Sequence, residues 1–263
     1  MNTVLITGGS AGIGLEISKL FAKNGYIICW VSLYEEEVLE AQNELLGEVS
    51  ETSIHYLVQD LSEETGAQKV YDWVQANNFA IDVLVNNAGF GTFGWSNDIP
   101  LDKEVSMIQL NILTLFKLTR IFLRDMVKKD RGTIINISSN SSFQPVPRMS
   151  AYAATKAFVS HYSQGVQQEL KEMGANVKVI TICPAAIKDT KFKSSAKMEN
   201  IKTFNGLVAT TKAEVARDVW KAFQTGNTYQ LSGAKLRTLY WLNKILPKRI
   251  LYFLIRDELS EKT

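Results

Sequence analysis

Tyr152 and Lys156 stand four residues apart in a stretch of strong helical character, Ala151 to Met173, so their side chains rise from one face of one helix. A tyrosine titrates near ~10 in water. A positive charge one helical turn away stabilises its phenolate and makes the phenol a better proton donor at neutral pH, and Lys156 is placed to supply that charge. Thirteen residues before Tyr152 comes Ser139, directly after the apolar run Thr133 to Ser138 and so at the carboxyl end of a strand. A hydroxyl there can hydrogen-bond an oxygen on which charge develops. Ser138, Ser141 and Ser142 are rivals, and a serine-rich turn satisfying its own backbone is the plainer alternative. Asn111 lies within the almost wholly apolar helical segment Val105 to Val127, where an amide is costly unless it finds partners. Taken alone, Y-x-x-x-K also describes an amphipathic helix whose tyrosine packs and whose lysine snorkels.

A second feature is the run Thr7-Gly8-Gly9-Ser10-Ala11-Gly12-Ile13-Gly14, which joins the first apolar strand to the first helix. Glycines there permit a tight turn and close backbone approach to a phosphate, whose charge the helix N-terminus favours. Around these residues, short apolar runs alternate with longer stretches of helical period, the pattern of βαβ units and a parallel sheet. Strands are expected at Val4–Thr7, Tyr26–Val31, Ile54–Val58, Val83–Asn86, Thr133–Ser138, Val177–Ile182 and Thr228–Leu231. Helices are expected at Ile13–Lys23, Glu36–Leu46, Glu63–Asn77, Leu101–Lys128, Ala151–Met173 and Lys212–Gln224. The long irregular stretch 185–211 reads as a substrate lid.

With glycines at 8, 12 and 14, the loop resembles the T-G-x-x-x-G-x-G element of the short-chain dehydrogenase/reductase family. The resemblance continues in register through Asp60, past the third strand, and Asn86-Asn87-Ala88-Gly89 at the end of the fourth, to Asn111, Ser139, Tyr152 and Lys156. It spans about residues 2 to 232 and is nearest to 3-ketoacyl reductases and hydroxysteroid dehydrogenases. It implies one α/β domain over 1–263, a Rossmann fold with a doubly wound, seven-stranded parallel sheet and helices on both faces. It also implies hydride transfer between a nicotinamide cofactor and a carbonyl or alcohol, with Asn111, Ser139, Tyr152 and Lys156 catalytic. Cofactor contacts are implied for Gly8, Ser10, Gly12, Ile13, Gly14, Ser32, Asp60, Leu61, Asn87, Ala88, Gly89, Tyr152, Lys156, Pro184 and Ile187. No metal is implied. In the family, the helix bearing Asn111 and that bearing Tyr152 build a dimer interface, so a homodimer or homotetramer is expected. A catalytically inactive nicotinamide-binding sensor or scaffold of the same fold is the alternative.

Two departures from the family pattern bear on the cofactor. The second strand ends in Ser32-Leu33-Tyr34, without the carboxylate that suits a ribose hydroxyl. That favours NADP(H) over NAD(H), although Glu35 to Glu37 would repel a 2′-phosphate. After the sixth strand stands Pro184-Ala185-Ala186-Ile187-Lys188-Asp189-Thr190, with alanine where the family has glycine and its threonine one place late.

Phe90, Phe93, Trp95, Phe143, Val146, Met149, Phe192 and Phe204 are expected on the substrate side, favouring a lipophilic ketoacyl, steroid-like or aromatic carbonyl. Composition agrees: 46% hydrophobic and 21% charged residues can cover both faces of a sheet, and a net charge of +2 gives no reason to expect a nucleic acid partner. Cys29 and Cys183 each sit in an apolar strand and read as inert core residues. The chain runs from Thr3 straight into its glycine loop and has no uncharged apolar stretch of ~20 residues, so a cytoplasmic protein without a transmembrane segment is expected. The segment Lys235 to Arg256 carries Lys235, Arg237, Lys244, Lys248, Arg249 and Arg256 among large apolar residues and no acid. As part of a basic amphipathic extension, 235–263, it can touch a membrane surface or dock on protein.

Overall fold

The computed structural model describes residues 1–190, 192–196, 198, 200–205, 209–233 and 236–260. Seven parallel strands form one sheet in the order β3-β2-β1-β4-β5-β6-β7. They are β1 (Thr3–Thr7), β2 (Ile27–Ser32), β3 (Ile54–Val58), β4 (Ile81–Asn86), β5 (Gly132–Ile137), β6 (Val177–Pro184) and β7 (Tyr229–Ser232). Every residue of β1 is buried. A strand covered by helices on both faces has no reason to alternate, which is why TVLIT reads as an unbroken apolar run.

One face is covered by α1 (Gly12–Lys23), α2 (Glu35–Glu48) and α8 (Lys212–Thr225), whose cluster centres on Trp30, Phe21 and Val219. The other face is covered by α3 (Gly66–Ala76), α5 (Leu115–Lys128) and α6 (Ser150–Glu172), around Leu5, Leu84, Phe122 and Ile134. Local signals set several boundaries. Helix α8 opens with a capping box, in which Thr211 Oγ1 accepts from Glu214 N at 3.2 Å and Glu214 Oε2 accepts from Thr211 N at 3.0 Å. It closes on Gly226 at φ +69°, a left-handed position that glycine takes without strain.

The stretch expected as one helix from Leu101 to Lys128 has three parts: α4 (Leu101–Ile108), a π-helical turn (Gln109–Thr114) and α5. By length and composition the whole stretch could cross a bilayer. Here α5 packs on β4, β5 and α3, and the buried Asn111, Thr114 and Thr119 bond into the protein body. Cys29 and Cys183 are free and buried, and burial pushes the Cys29 thiol up to about 12.

The expected lid, 185–211, holds the short helix α7 (Phe192–Ser195), a 3₁₀ turn (Lys202–Asn205) and an isolated parallel bridge from Ile187 to Thr210. The C-terminal extension forms α9 (Leu236–Ile245) and α10 (Lys248–Glu258).

Candidate active site and dinucleotide cleft

The sheet changes winding direction between β1 and β4, and the crevice beyond their carboxyl ends is where open α/β sheets bind ligands. The glycine loop lies there. Gly8 and Gly12 take φ values of +63° and +53°, the left-handed region in which a side chain would be strained. A methyl group on Gly14 would stand 2.0 Å from Gly8 O, and one on Gly9 would stand 2.1 Å from Trp30 Cδ1. The loop is therefore folded on itself and on the indole beneath it, and only glycine fits. Helix α1 has no acidic residue in its first turn, where amides without intrahelical acceptors and the helix dipole favour an anion.

Neighbouring residues brace this cradle. Ser10 Oγ donates to Ser32 Oγ at 2.9 Å, joining the loop to the end of β2. The backbone N–H groups of Asn87 and Ala88 both reach Thr7 Oγ1 at 3.0 Å. The Asn87 amide donates to Thr7 O at 3.0 Å and to Gly8 O at 3.1 Å. Asp60 stands just beyond β3, with Oδ1 accepting from Ser62 N and Ser62 Oγ, so one of its oxygens is spent on a local turn. Leu61 is buried, and its carbonyl accepts from Thr114 Oγ1 at 2.6 Å.

Pro184 ends β6 opposite Ser232, and the Ile187 side chain belongs to the core. The displaced Thr190 nevertheless faces the loop, its hydroxyl 3.9 Å from where a Cβ on Gly12 would be. A cradle with backbone donors, no room for added side chains and no acid at the helix start suits the pyrophosphate of a dinucleotide.

Asn111 and Lys156 meet beside Gly89, Tyr152 stands beside Gly91, and Ser139 bonds to Tyr152. A methyl group on Gly89 would lie 2.8 Å from Asn111 Oδ1 and 3.5 Å from Lys156 Nζ, and one on Gly91 would lie 3.1 Å from Tyr152 Cδ2. The Asn111 amide sits in the π-helical turn and is fully partnered. Its Nδ2 donates to Phe90 O at 2.9 Å and to Thr155 Oγ1 at 3.1 Å, while Oδ1 accepts from Phe90 N at 3.3 Å. The structure also separates the rival serines. Ser138 Oγ is committed to Lys156 O at 2.8 Å, Ser142 Oγ donates to Ser139 O at 2.6 Å, and Ser141 Oγ is buried without a partner. Ser139 Oγ accepts from Ser141 N at 3.2 Å and donates to Asn140 Oδ1 at 3.3 Å, and of the four serines its hydroxyl is the one that also bonds Tyr152.

Electrostatics depart from the expectation of a lysine-acidified phenol. Burial pushes the Tyr152 hydroxyl up to about 12, only partly offset by its hydrogen bond with Ser139. The same burial pulls the Lys156 ammonium down to about 8, partly opposed by Cys183. Lys156 Nζ lies 5.9 Å from the centre of the Tyr152 ring and donates to Ile137 O at 3.0 Å. In the chain by itself, loss of hydration sets the acidity of both groups, and at neutral pH the site holds a neutral phenol and an ammonium.

Of the expected substrate-side residues, Val146, Met149, Phe204, Phe90, Phe93 and Phe192 do cluster with Tyr152, and the Phe192 ring lies 5.3 Å from the phenol ring. Two do not. Phe143 packs on Tyr240 at 4.9 Å, beside a separate cavity of about 550 Å³ lined by residues of α6, β7 and α9. Trp95 is 64% exposed under the Arg148 guanidinium, 5.7 Å from its ring centre. Thr155, which anchors Asn111, gave no sequence signal beyond its place one turn from Tyr152.

A family model described as short chain dehydrogenase matches residues 2–200. A very-long-chain 3-oxoacyl-CoA reductase of Anas platyrhynchos is 32% identical over 197 residues, 71% of this chain and 61% of that protein. The chain thus spans less than two thirds of the curated relatives it first matches. Among solved structures, a short-chain dehydrogenase from Sphingobium yanoikuyae in complex with NADPH is 25% identical, with a TM-score of 0.80 over 100% of this chain and 98% of that one. A bulky-bulky ketone specific alcohol dehydrogenase from Comamonas testosteroni is 25% identical, with a TM-score of 0.74 over 88% and 86% of the two chains. Site, sheet order and sequence agree, and the chain belongs to the short-chain dehydrogenase family.

Proposed function

We propose that this protein is an NADP(H)-dependent oxidoreductase that interconverts a lipophilic carbonyl compound and its alcohol. The observation that carries this reading is the grouping of Asn111 and Lys156 beside Gly89 with Tyr152 beside Gly91 and Ser139 bonded to Tyr152, next to a glycine cradle suited to a dinucleotide. Gly8, Ser10, Gly12, Ile13, Gly14 and Asn87 to Gly89 would hold the pyrophosphate and neighbouring groups, with Ser32, Asp60 and Leu61 toward the adenosine and Pro184 and Ile187 toward the nicotinamide. The chemistry a bound nicotinamide supplies is hydride transfer.

The chain's own residues handle the proton and the charge. Tyr152, neutral at physiological pH, is the donor to the substrate oxygen in the direction of reduction. Ser139 bonds the same oxygen as negative charge grows on it, and the Lys156 ammonium offsets the charge left on the phenol. Asn111 holds the Phe90 backbone, and through it the wall of the apolar substrate cluster. An inactive sensor would be expected to lack Tyr152 or Lys156, and both are in place.

The preference for NADP(H) is supported by the exposed Leu33 and Tyr34 where a ribose-binding carboxylate would stand. The name of the NADPH complex from Sphingobium yanoikuyae points the same way. A homo-oligomer built on α4, the π-helical turn, α5 and α6 is supported by their exposed Val105, Ile108, Leu113, Phe116 and Phe158. A cytoplasmic site fits the two free, buried thiols.

The test is a screen of ketones followed by nicotinamide absorbance. Tyr152→Phe should bind NADPH like the parent and lose turnover by at least ~100-fold, the low end for general acid catalysis. Turnover within a few-fold of the parent's would refute the assignment.

A further inference from the structure

Helix α10 is apolar on two opposite sides. Leu251, Ile255 and Leu259, at the i, i+4, i+8 spacing of one helical face, pack inward, and Ile255 and Leu259 join the cluster that holds Tyr152. Ile250, Phe253 and Leu254, at the i, i+3, i+4 spacing of another face, point to solvent, with Phe253 72% exposed. Arg249 and Arg256, seven residues apart and both exposed, flank that outer stripe. Helix α9 repeats the arrangement: Arg237, Trp241 and Ile245 follow at i, i+4, i+8, and Trp241 and Ile245 are 60% and 76% exposed.

We infer that the outer face of α9 and α10 docks on the surface of an anionic lipid bilayer and so holds the mouth of the substrate cluster against the lipid. Charge selects the occupant. The segment 235–258, through the end of α10, carries six Lys and Arg against Asp257 and Glu258, the two acids both falling in the last turn. A two-fold contact between copies brings each patch against itself, setting the exposed Arg237, Arg249 and Arg256 against a second basic patch. A nucleic acid would satisfy the charges and leave Phe253, Ile250 and Trp241 in water. An anionic membrane takes both, with the apolar stripe at the acyl boundary and the arginines at the headgroups.

The inner face explains what docking would do. Arg148 Nη2 donates to Leu259 O at 3.0 Å, and Lys202 N donates to Ser260 O at 3.2 Å. Both donors belong to segments that wall the apolar cluster around Tyr152, so α10 is that cluster's outer brace. A lipophilic carbonyl dissolved in the bilayer would then reach Tyr152 without crossing bulk water. This last step rests on the oxidoreductase reading, whereas the docking does not.

The full chain should co-sediment with vesicles of phosphatidylcholine and phosphatidylserine and far less with phosphatidylcholine alone or at high salt. With ~1 kcal/mol of surface attraction per cation, Arg249→Gln and Arg256→Gln should each weaken binding about fivefold. Ile250→Ser with Phe253→Ser should abolish it while leaving thermal melting and turnover of a short, water-soluble ketone at parental levels. Vesicles should also raise kcat/KM for a long-chain ketone and not for the short one. No binding to acidic vesicles, or binding unchanged in both sets of variants, would overturn the proposal. So would a fall from dimer to monomer in the serine variant, which would give the face to a second copy. Vesicle binding by a parent that reduces no ketone would leave the docking standing and refute the proposed function instead.

Discussion

Replacing Lys156 by methionine should make the protein more stable and catalytically dead. The side chain is 6% exposed, and burial lowers its ammonium from 10.5 to about 8. At ~1.4 kcal/mol for each tenfold change in acidity, holding that charge in the fold costs about 3 kcal/mol wherever both folded and unfolded chains are protonated. The sign follows from proton linkage. Between pH 8 and 10.5 the unfolded chain binds the proton and the folded chain does not, so stability rises with pH across that window, and the penalty is complete below it. Methionine fills a similar volume without charge but forfeits the hydrogen bond to Ile137 O, worth about 1 kcal/mol. The net gain at pH 7 should be about 2 kcal/mol. Urea unfolding followed by circular dichroism from pH 6 to 9.5 would measure it. The advantage should be constant up to pH 8 and shrink by ~1.4 kcal/mol per pH unit above. A variant less stable than its parent at pH 7, or a difference that ignores pH, would refute the claim that this lysine is held charged against its hydration.

Other consequences can be measured separately. With Lys156 near 8, kcat/KM for ketone reduction should be level from pH 6 to 7.5 and fall toward tenfold per pH unit above; an increase across that range would contradict the role given to its ammonium. Asn111→Leu strands the Phe90 N–H and C=O, while the Thr155 hydroxyl keeps its bond to Tyr152 O, so urea unfolding should show a loss of about 2 to 4 kcal/mol, since each buried orphan costs ~1 to 3. Gly89→Ala puts a methyl group 2.8 Å from Asn111 Oδ1 beside Lys156. It should cut turnover at least tenfold with a stability loss of only about 1 to 3 kcal/mol from overpacking, and wild-type kinetics would show that Asn111 and Lys156 do not meet there. Michaelis constants should favour NADPH over NADH, and Tyr34→Asp, which places a carboxylate at the end of β2, should reverse the order.

What could be read in the chain was whatever depends on local spacing. All seven strands lie within a few residues of where their apolar runs put them, and Thr211, three residues before Glu214, marks the start of α8. Contacts between segments far apart were not legible. Phe143 follows Ser139 by four residues, yet it turns to Tyr240 on α9, because the 3₁₀ turn after β5 aims it toward the edge strand β7. Trp95 looked like a substrate contact, but Arg148, itself tied to Leu259, lies against its ring on the outside. Thr190, one place late in sequence, still reaches Gly12 because the bridge from Ile187 to Thr210 fixes where that loop descends. The π-helical turn at Asn111 left no trace in the apolar period around it, since Gln109 to Thr114 follow the pattern of an unbroken helix.

The same contrast governs the chemistry. Spacing placed a phenol and an ammonium on one helical face, and from spacing alone the charge should acidify the phenol. Whether it does depends on hydration, and hydration depends on what the rest of the chain folds over the pair. Here the cluster of Met149, Phe192 and Phe204, braced from outside by α10, withdraws Tyr152 from water. The phenol therefore keeps its proton, and the lysine holds its own only weakly. That combination suits donation to a carbonyl oxygen more than removal of a proton from an alcohol, so reduction should outrun oxidation at pH 7. Equal kcat values in the two directions at that pH would show that Tyr152 is far more acidic in the working enzyme than its burial dictates.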